Sequence, residues 1–385
     1  MIRICFVTTI YSTFRSFLKE YAQFLYNTGV FDVSLICNPD DNMETDIPEC
    51  VHYYPVIMKR GISLTGFKAI HKIQKIFEHE KFDIVQYSTP NAALYASKAA
   101  KKVNIPVRLY CQWGIRYMGF EGGLSRGIFK YLEAKTCQNS TFIEAESHNI
   151  RDFAIDEGLY SAEKSCVVWN GSANGVNMTK FDVSYKDKWR KQIRLQYNIP
   201  NDSVVFAFAG RLTADKGINE LLAAYQNISN QSFDTRLIVM GRMDNKKSLN
   251  ATLYESAKKN SSVIFTGNVD DVERYYAASD VFVAPSYREG FGLVVIEAEA
   301  MGLAAIVSDV PGQIDTIQQN ITGIKCQVKN TSSLQQQMLF MIQHPDKRQQ
   351  MANKAVDFVR KNFEQRNLFE MLSRKLVDLY NYSSK

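Results

Sequence analysis

No two of the seven cysteines are spaced as CxxC; Cys5, Cys37, Cys50, Cys111, Cys137, Cys166 and Cys326 are scattered and odd in number. That pattern argues against a zinc site and a disulfide framework, and fits buried thiols in a reducing compartment. No run of 18 or more apolar residues occurs, so no segment reads as a membrane-crossing helix. The N-terminal MIRICFVTTI is apolar but short. It lacks a clear basic leader and a small-residue cleavage site, and reads as a first strand rather than a signal peptide. No GxGxxG follows that strand, Ile2–Thr8, which disfavours a dehydrogenase. Solenoid-length repeats and low-complexity tracts are also absent.

What is present is an ordinary globular composition, 45% hydrophobic and 22% charged. A chain of 385 residues exceeds the size at which one core keeps growing, so two domains are expected. The net charge of +6 is too mild to argue for nucleic acid. It is uneven, however. The first 200 residues carry 25 basic and 20 acidic side chains and the remainder 21 and 20, so any anionic surface would meet the first half. Solvated faces explain the same excess.

The first half alternates β-rich runs (Ile2–Thr8, Val33–Cys37, Val51–Pro55, Phe82–Tyr87, Val107–Cys111, Thr141–Glu144, Cys166–Trp169) with helical spacing (Ser16–Tyr26, Phe67–His79, Ala92–Val103). The second half restarts it. Strands at Val204–Ala209, Thr235–Met240, Val263–Thr266, Val281–Ala284 and Ala304–Val307 alternate with helices at Ile218–Gln226, Val272–Ala278 and Leu293–Met301. Such alternation implies βαβ units and parallel sheets. Ligands of such sheets bind at the carboxyl ends of strands, so a cleft between two domains is where chemistry is expected.

Two strand-ending turns carry the chemistry. In FAGRLTADKG the strand ends at Gly210, and Arg211 and Lys216 follow. Arginine offers a planar fork to phosphate oxygens and lysine a point charge; an exposed loop with two surface cations is an equal alternative for this turn alone. In YREGFGLVVIEAEAMG, Gly290 and Gly292 let a ligand approach the backbone. A helix starting there aims free N–H groups near Leu293 and Val294 outward, a site for a diphosphate. Glu289 precedes that helix. Glu297 lies about one and a half turns inside it, where an acid in an apolar segment needs a partner. A ribose with adjacent hydroxyls would satisfy it. Glu299 reads as a surface residue.

GRLTADKG followed by PSYREGFGLVVIEAEAMG resembles the retaining glycosyltransferases of family 4. The E-x7-E of that family is matched by Glu289 and Glu297, its next turn by Ser308–Gly312, and its domain junction by Asn170–Phe181. The resemblance implies an α/β fold of GT-B type, two Rossmann-like domains with parallel sheets facing a central cleft. The domains would be 1–170, binding acceptor, and 171–364, binding donor, with a terminal helix over about 365–385 returning to the first. It further implies that Arg211 and Lys216 stabilise the leaving diphosphate without a metal cofactor; no Asp-x-Asp pair suggests one. Glu297 would bind ribose and Glu289 the donor sugar. Gly210, Gly290, Phe291, Gly292, Leu293 and Val294 would line the donor, with Gly241 and Val269 near its base.

The first half departs from that family pattern. Its first loop reads TTIYSTF where glycines are usual, and Gln112-Trp113-Gly114 stands where a His-Gly pair is usual. Gln112 can donate a hydrogen bond but cannot relay a proton at neutral pH. Trp113 either stacks on a sugar or belongs to the core, and Arg116 is a candidate for acceptor phosphate. His148 follows Ser147, a helix N-cap, and reads as structural. Lys59, Arg60 and the stripe Lys68, Lys72, Lys75 and His79 are either a solvated basic face or a dock for anionic lipid. The expected function is transfer of a sugar, from a uridine-diphosphate sugar foremost, to a saccharide or polyprenyl-linked acceptor in surface-polysaccharide synthesis. The expected place is the cytoplasm, with peripheral contact to the inner face of the plasma membrane. The rivals are another GT-B nucleotide-sugar enzyme, such as an epimerase or phosphorylase, and a non-catalytic nucleotide-sugar-binding scaffold.

Overall fold

Runs such as ICFV in Ile2–Val7 and VFVA in Val281–Ala284 are apolar at consecutive positions, as strands covered on both faces must be. The computed structural model describes residues 1–40, 43, 46–58, 65–120, 122–231, 233–243 and 249–383. It divides the chain into two units, Met1–Asn174 with Arg366–Lys385, and Gly175–Gln365.

The first unit holds β1 (Ile2–Val7), α1 (Tyr11–Phe17), α2 (Lys19–Asn27), β2 (Phe31–Cys37), β3 (Val51–Pro55), α3 (Thr65–Glu80), β4 (Ile84–Tyr87), α4 (Pro90–Lys102), β5 (Val107–Gln112), α5 (Gly123–Asn139), β6 (Phe142–Ala145), α6 (His148–Asp156) and β7 (Ser165–Cys166). These strands form a parallel sheet in the order β3-β2-β1-β4-β5-β6-β7. The last strand is shorter than the Cys166–Trp169 expected, because Trp169 takes a left-handed φ of 55° that ends extended pairing.

The second unit holds α7 (Lys186–Gln196), β8 (Val204–Ala209), α8 (Ile218–Ser229), β9 (Thr235–Met240), α9 (Ala251–Lys259), β10 (Val263–Gly267), α10 (Val272–Ala278), β11 (Val281–Ala284), α11 (Leu293–Ala300), β12 (Ala304–Ser308), β13 (Gly323–Cys326), α12 (Thr331–Gln343) and α13 (Pro345–Phe363). Its strand order is β10-β9-β8-β11-β12-β13, again parallel. The final helix, α14 (Gln365–Ser383), belongs to the first unit, where Leu368, Phe369, Leu372 and Leu376 are buried with β1 and α2. All seven cysteines are unbonded. Among the described residues no helix is long and apolar enough to cross a membrane.

Candidate active site

The strand order of the second unit reverses between β8 and β11, so the chain leaves those two strands toward opposite faces and opens a crevice at their carboxyl ends. The loops after β8 and β11 are the two that carry the sequence motifs. They pack on each other. Gly217 has φ 71°, and a Cβ there would lie 2.0 Å from the Pro285 carbonyl oxygen, so only glycine lets the first loop lie against the second. The Tyr287 N–H donates to the Asp215 carbonyl at 2.9 Å. Lys216 Nζ lies 2.6 Å from Glu289 Oε1, which also accepts from Ser286 Oγ at 2.8 Å. Arg288 Nη2 stands 3.3 Å from Asp215 Oδ2, and the Thr213 hydroxyl donates to Asp215 Oδ1 at 2.6 Å. Burial pulls the Asp215 pKa up. The Thr213 bond and the charges of Arg288, Arg211 and Lys216 outweigh it and hold the carboxyl below its ordinary value. Cations and anions therefore alternate across this loop pair.

Helix α11 starts from Gly292 at φ 105°. The first N–H groups of a helix have no intrahelical acceptor, which makes this end, near Leu293 and Val294, attractive to phosphate. The turn after β12 supports it: a Cβ on Gly312 would lie 2.3 Å from Gly290 O. Gly312→Ala is expected to push the Glu289–Gly292 loop aside, weakening nucleotide binding at least about tenfold. The far-ultraviolet circular dichroism should be unchanged; titration with uridine diphosphate checks the binding. Strand-end turns stack on the other side. A Cβ on Gly241 would lie 1.9 Å from Gly210 O, and the Gly241 N–H donates to Gly267 O at 2.8 Å. Val269 is partly buried against the core. Phe291 turns its ring inward, 5.3 Å from Phe363, so only its backbone can face a donor.

Glu297 sits inside α11, and burial pushes its pKa up to about 7, with Lys180 lowering and Glu273 raising it. Lys180 Nζ is 3.8 Å from Glu273 Oε2, and the Lys180 N–H donates to Asn177 Oδ1. Lys180 and Glu273 were not expected at this site. Lys180 lies in the junction segment and Glu273 on α10, and nothing local to either points toward Glu297.

Glu299 corrects the surface expectation. It is fully buried, and neither carboxyl oxygen makes a well-formed hydrogen bond, with only the Thr322 hydroxyl beside it offsetting the burial. Helix α11 is covered by β11 and β12 on one side and by α13 on the other. A helix enclosed in this way has no solvent face for Glu299 to occupy.

In the first unit Gln112 is also corrected. It is fully buried, donating from Nε2 to Glu133 Oε1 at 2.6 Å and accepting from Tyr160 OH at 2.7 Å. Its polar ends are spent inside the core, not on an acceptor. Trp113 is half-buried against Phe17, ring centroids 5.2 Å apart, which favours the core alternative. Arg116 is exposed, with its guanidinium 4.2 Å from the Phe129 ring centroid. Ser147 caps α6 through Ile150 N–H at 3.2 Å, consistent with His148 as a structural residue. Lys68, Lys72, Lys75 and His79 are exposed on α3; Lys59, Arg60 and Gly61 lie outside the described residues.

Two family models match the chain: "Glycosyl transferases group 1" over residues 190–358 and "Glycosyl transferase 4-like" over residues 3–147. The capsular polysaccharide biosynthesis glycosyltransferase CapM of Staphylococcus aureus is 28% identical over 91% of this chain and 90% of its own length. A UDP-Gal:alpha-D-GlcNAc-diphosphoundecaprenol alpha-1,3-galactosyltransferase of Escherichia coli is 25% identical over 78% of this chain and 74% of its own. The structure of Anabaena HepE in complex with UDP and glucose superposes with TM-score 0.80 at 16% identity, covering 98% of this chain and 100% of that one. The two parallel sheets are the Rossmann-like domains of a GT-B fold.

Proposed function

The chain belongs to the group 1, family 4-like glycosyltransferases, and from that premise we propose that it transfers a sugar, with retention, from a uridine-diphosphate sugar to a lipid-linked saccharide during surface-polysaccharide assembly. The observation that carries this reading is the Lys216–Glu289 pair set beside the N-terminus of α11, with Glu297 deeper in the same helix. The names of the S. aureus and E. coli relatives support the polysaccharide setting and the diphosphoundecaprenol acceptor.

In this reading the diphosphate settles on Arg211, Lys216 and the first N–H groups of α11, which together replace a metal ion. Lys216 exchanges Glu289 for phosphate, and Glu289 is released to the donor sugar. The acceptor hydroxyl attacks C1 on the face from which the diphosphate leaves. The C1–O bond to phosphate breaks, a C1–O bond to the acceptor forms, and the hydroxyl proton passes to the departing phosphate oxygen. Gln112, buried as it is, takes no part. A panel of nucleotide sugars, assayed for nucleotide release with and without a polyprenyl-diphosphate sugar in the presence of EDTA, tests this. Release without acceptor, or an inverted linkage by NMR, would overturn it.

Glu297 gives the donor site a pH dependence. A carboxylate accepts two ribose hydroxyls better than a carboxylic acid does, and burial holds this group protonated up to about pH 7. Affinity for uridine diphosphate is therefore expected to rise several-fold from pH 6 to pH 8. Glu297→Gln should bind weakly and show a flatter profile; a wild-type profile that falls with pH would refute the assignment.

We also place the first unit against anionic membrane. Leu124, Ile128 and Tyr131 on α5 are exposed at spacings of four and three, an apolar stripe where a soluble helix carries polar residues. With the α3 lysines it offers both terms of interfacial binding. Sedimentation with phosphatidylglycerol vesicles, compared with phosphatidylcholine, tests this contact.

A further inference from the structure

Helix α4 reads PNAALYASKAAKK, and its alanines are buried. Small side chains let it lie close to the sheet between α3 and α5, and a hollow of about 460 Å³ opens over its outer face. The walls are Phe67 and Ile70 from α3, Leu94 and Tyr95 from α4, and Phe129 and Leu132 from α5. A second hollow, about 490 Å³, shares Phe67, Ile70, Lys98 and Asn139 with the first and continues over Lys101 and Lys102. The two are thus one apolar trough of a size that holds a ligand.

Its rim is cationic. Lys98 Nζ stands 5.7 Å from the Phe67 ring centroid, Lys135 Nζ 5.4 Å from Tyr131, and the Arg116 guanidinium 4.2 Å from Phe129. Each cation is held over an aromatic face at the lip. Glu133 is the acid in the lining, and its Oε1 is turned inward, accepting from Tyr110 and Gln112. Burial raises its pKa, which weakens any negative charge there.

Apolar walls reject a free sugar, and the basic rim rejects a cation. One apolar trough with one cationic rim suits a single hydrocarbon chain bearing one anionic head. We infer that this trough holds the hydrocarbon chain of a polyprenyl phosphate, the carrier of the acceptor, with its anionic head among Lys98, Lys135 and Arg116. The inference rests on the lipid-linked acceptor proposed above and assigns that lipid a place on this chain.

Geranylgeranyl phosphate is the probe, titrated calorimetrically into the full-length protein. Leu94→Glu and Ile70→Glu set a carboxylate at partly exposed wall positions. Each is expected to weaken binding at least about tenfold, because a charge is then set against hydrocarbon. Circular dichroism melting of both variants should match wild type and reports folding of the first unit, which carries both positions. No binding by wild type, equal binding by the variants, or equal binding of inorganic phosphate overturns the inference. So does vesicle binding lost in the variants while the free isoprenoid does not bind, since the trough is then a bilayer contact. The acceptor reading fails separately. It falls if wild type transfers to no polyprenyl-diphosphate sugar, whereas the trough alone falls if it transfers and Leu94→Glu leaves the acceptor KM unchanged.

Discussion

Lys216→Ala is expected to lower sugar transfer by a factor of about 10²–10³ or more, the scale of removing one preorganised group from a developing charge. The ammonium is 2.6 Å from Glu289, and it acts on Asp215 together with Arg211, near a helix N-terminus that already favours phosphate. Its loss should also weaken uridine diphosphate binding. Glu289→Ala should cut transfer comparably while leaving nucleotide affinity nearly intact, because the proposed role gives this acid to the sugar. The double variant should lose little more than the worse single one, since the two side chains act as a unit. Either truncation leaves a half-buried charge without its partner, so the unfolding midpoint should fall by a few degrees, in line with about 1–3 kcal/mol. Nucleotide release, affinity and circular dichroism melting separate these effects. Full activity in a folded Glu289→Ala protein would remove it from the site.

Glu299→Met is expected to do the opposite of most core substitutions and stabilise the protein, by about 2–3 kcal/mol at pH 7. The Glu299 carboxyl is fully buried, and neither oxygen makes a well-formed hydrogen bond. The Thr322 hydroxyl beside it lowers the pKa and offsets part of this; its oxygen accepts the Gln318 N–H at 3.0 Å, which leaves its O–H directed at the carboxyl. Burial pushes the folded pKa well above the ordinary 4.5. The folded protein then keeps a proton that the unfolded chain gives up, so stability falls as pH rises above 4.5, by about 1.4 kcal/mol per unit, until the folded pKa is reached. Below the unfolded pKa both states are protonated and the loss vanishes. Methionine has similar length and no charge to lose; Glu299→Gln removes the slope but leaves a buried polar group. From pH 4 to pH 8 the melting midpoint of wild type should fall progressively behind those of Glu299→Met and Glu299→Gln, which should stay parallel to each other. A constant gap between wild type and Glu299→Met would show that Glu299 is not held protonated.

The three glutamates of one helix and its entry loop show where local reading stops. Strand, glycine turn and helix are visible in VFVAPSYREGFGLVVIEAEAMG because apolar runs and glycines act over a few residues. The fate of Glu299 is not visible there. It depends on α13, a helix that arrives about fifty residues later and covers what would otherwise be a solvent face. Gln112 is similar. Its partners Glu133 and Tyr160 lie 21 and 48 residues away, and only the closing of β5, α5 and the loop beyond α6 brings them to it. Helix α5 exposes Leu124, Ile128 and Tyr131 while Phe129, Ala134 and Cys137 meet the core, so its pattern does not announce which face is covered.

By itself the sequence determined two parallel α/β units, the strand-ending turns that carry charge, and the family to which those turns belong. Each follows from short-range periodicity, glycine conformations and motif spacing. Tertiary structure alone decided which polar side chains meet at the strand-end loops and which are sealed inside, because burial is set by whatever packs on the far side of an element. It also decided that Lys180 meets Glu273 beside Glu297, and that α3, α4 and α5 enclose a trough.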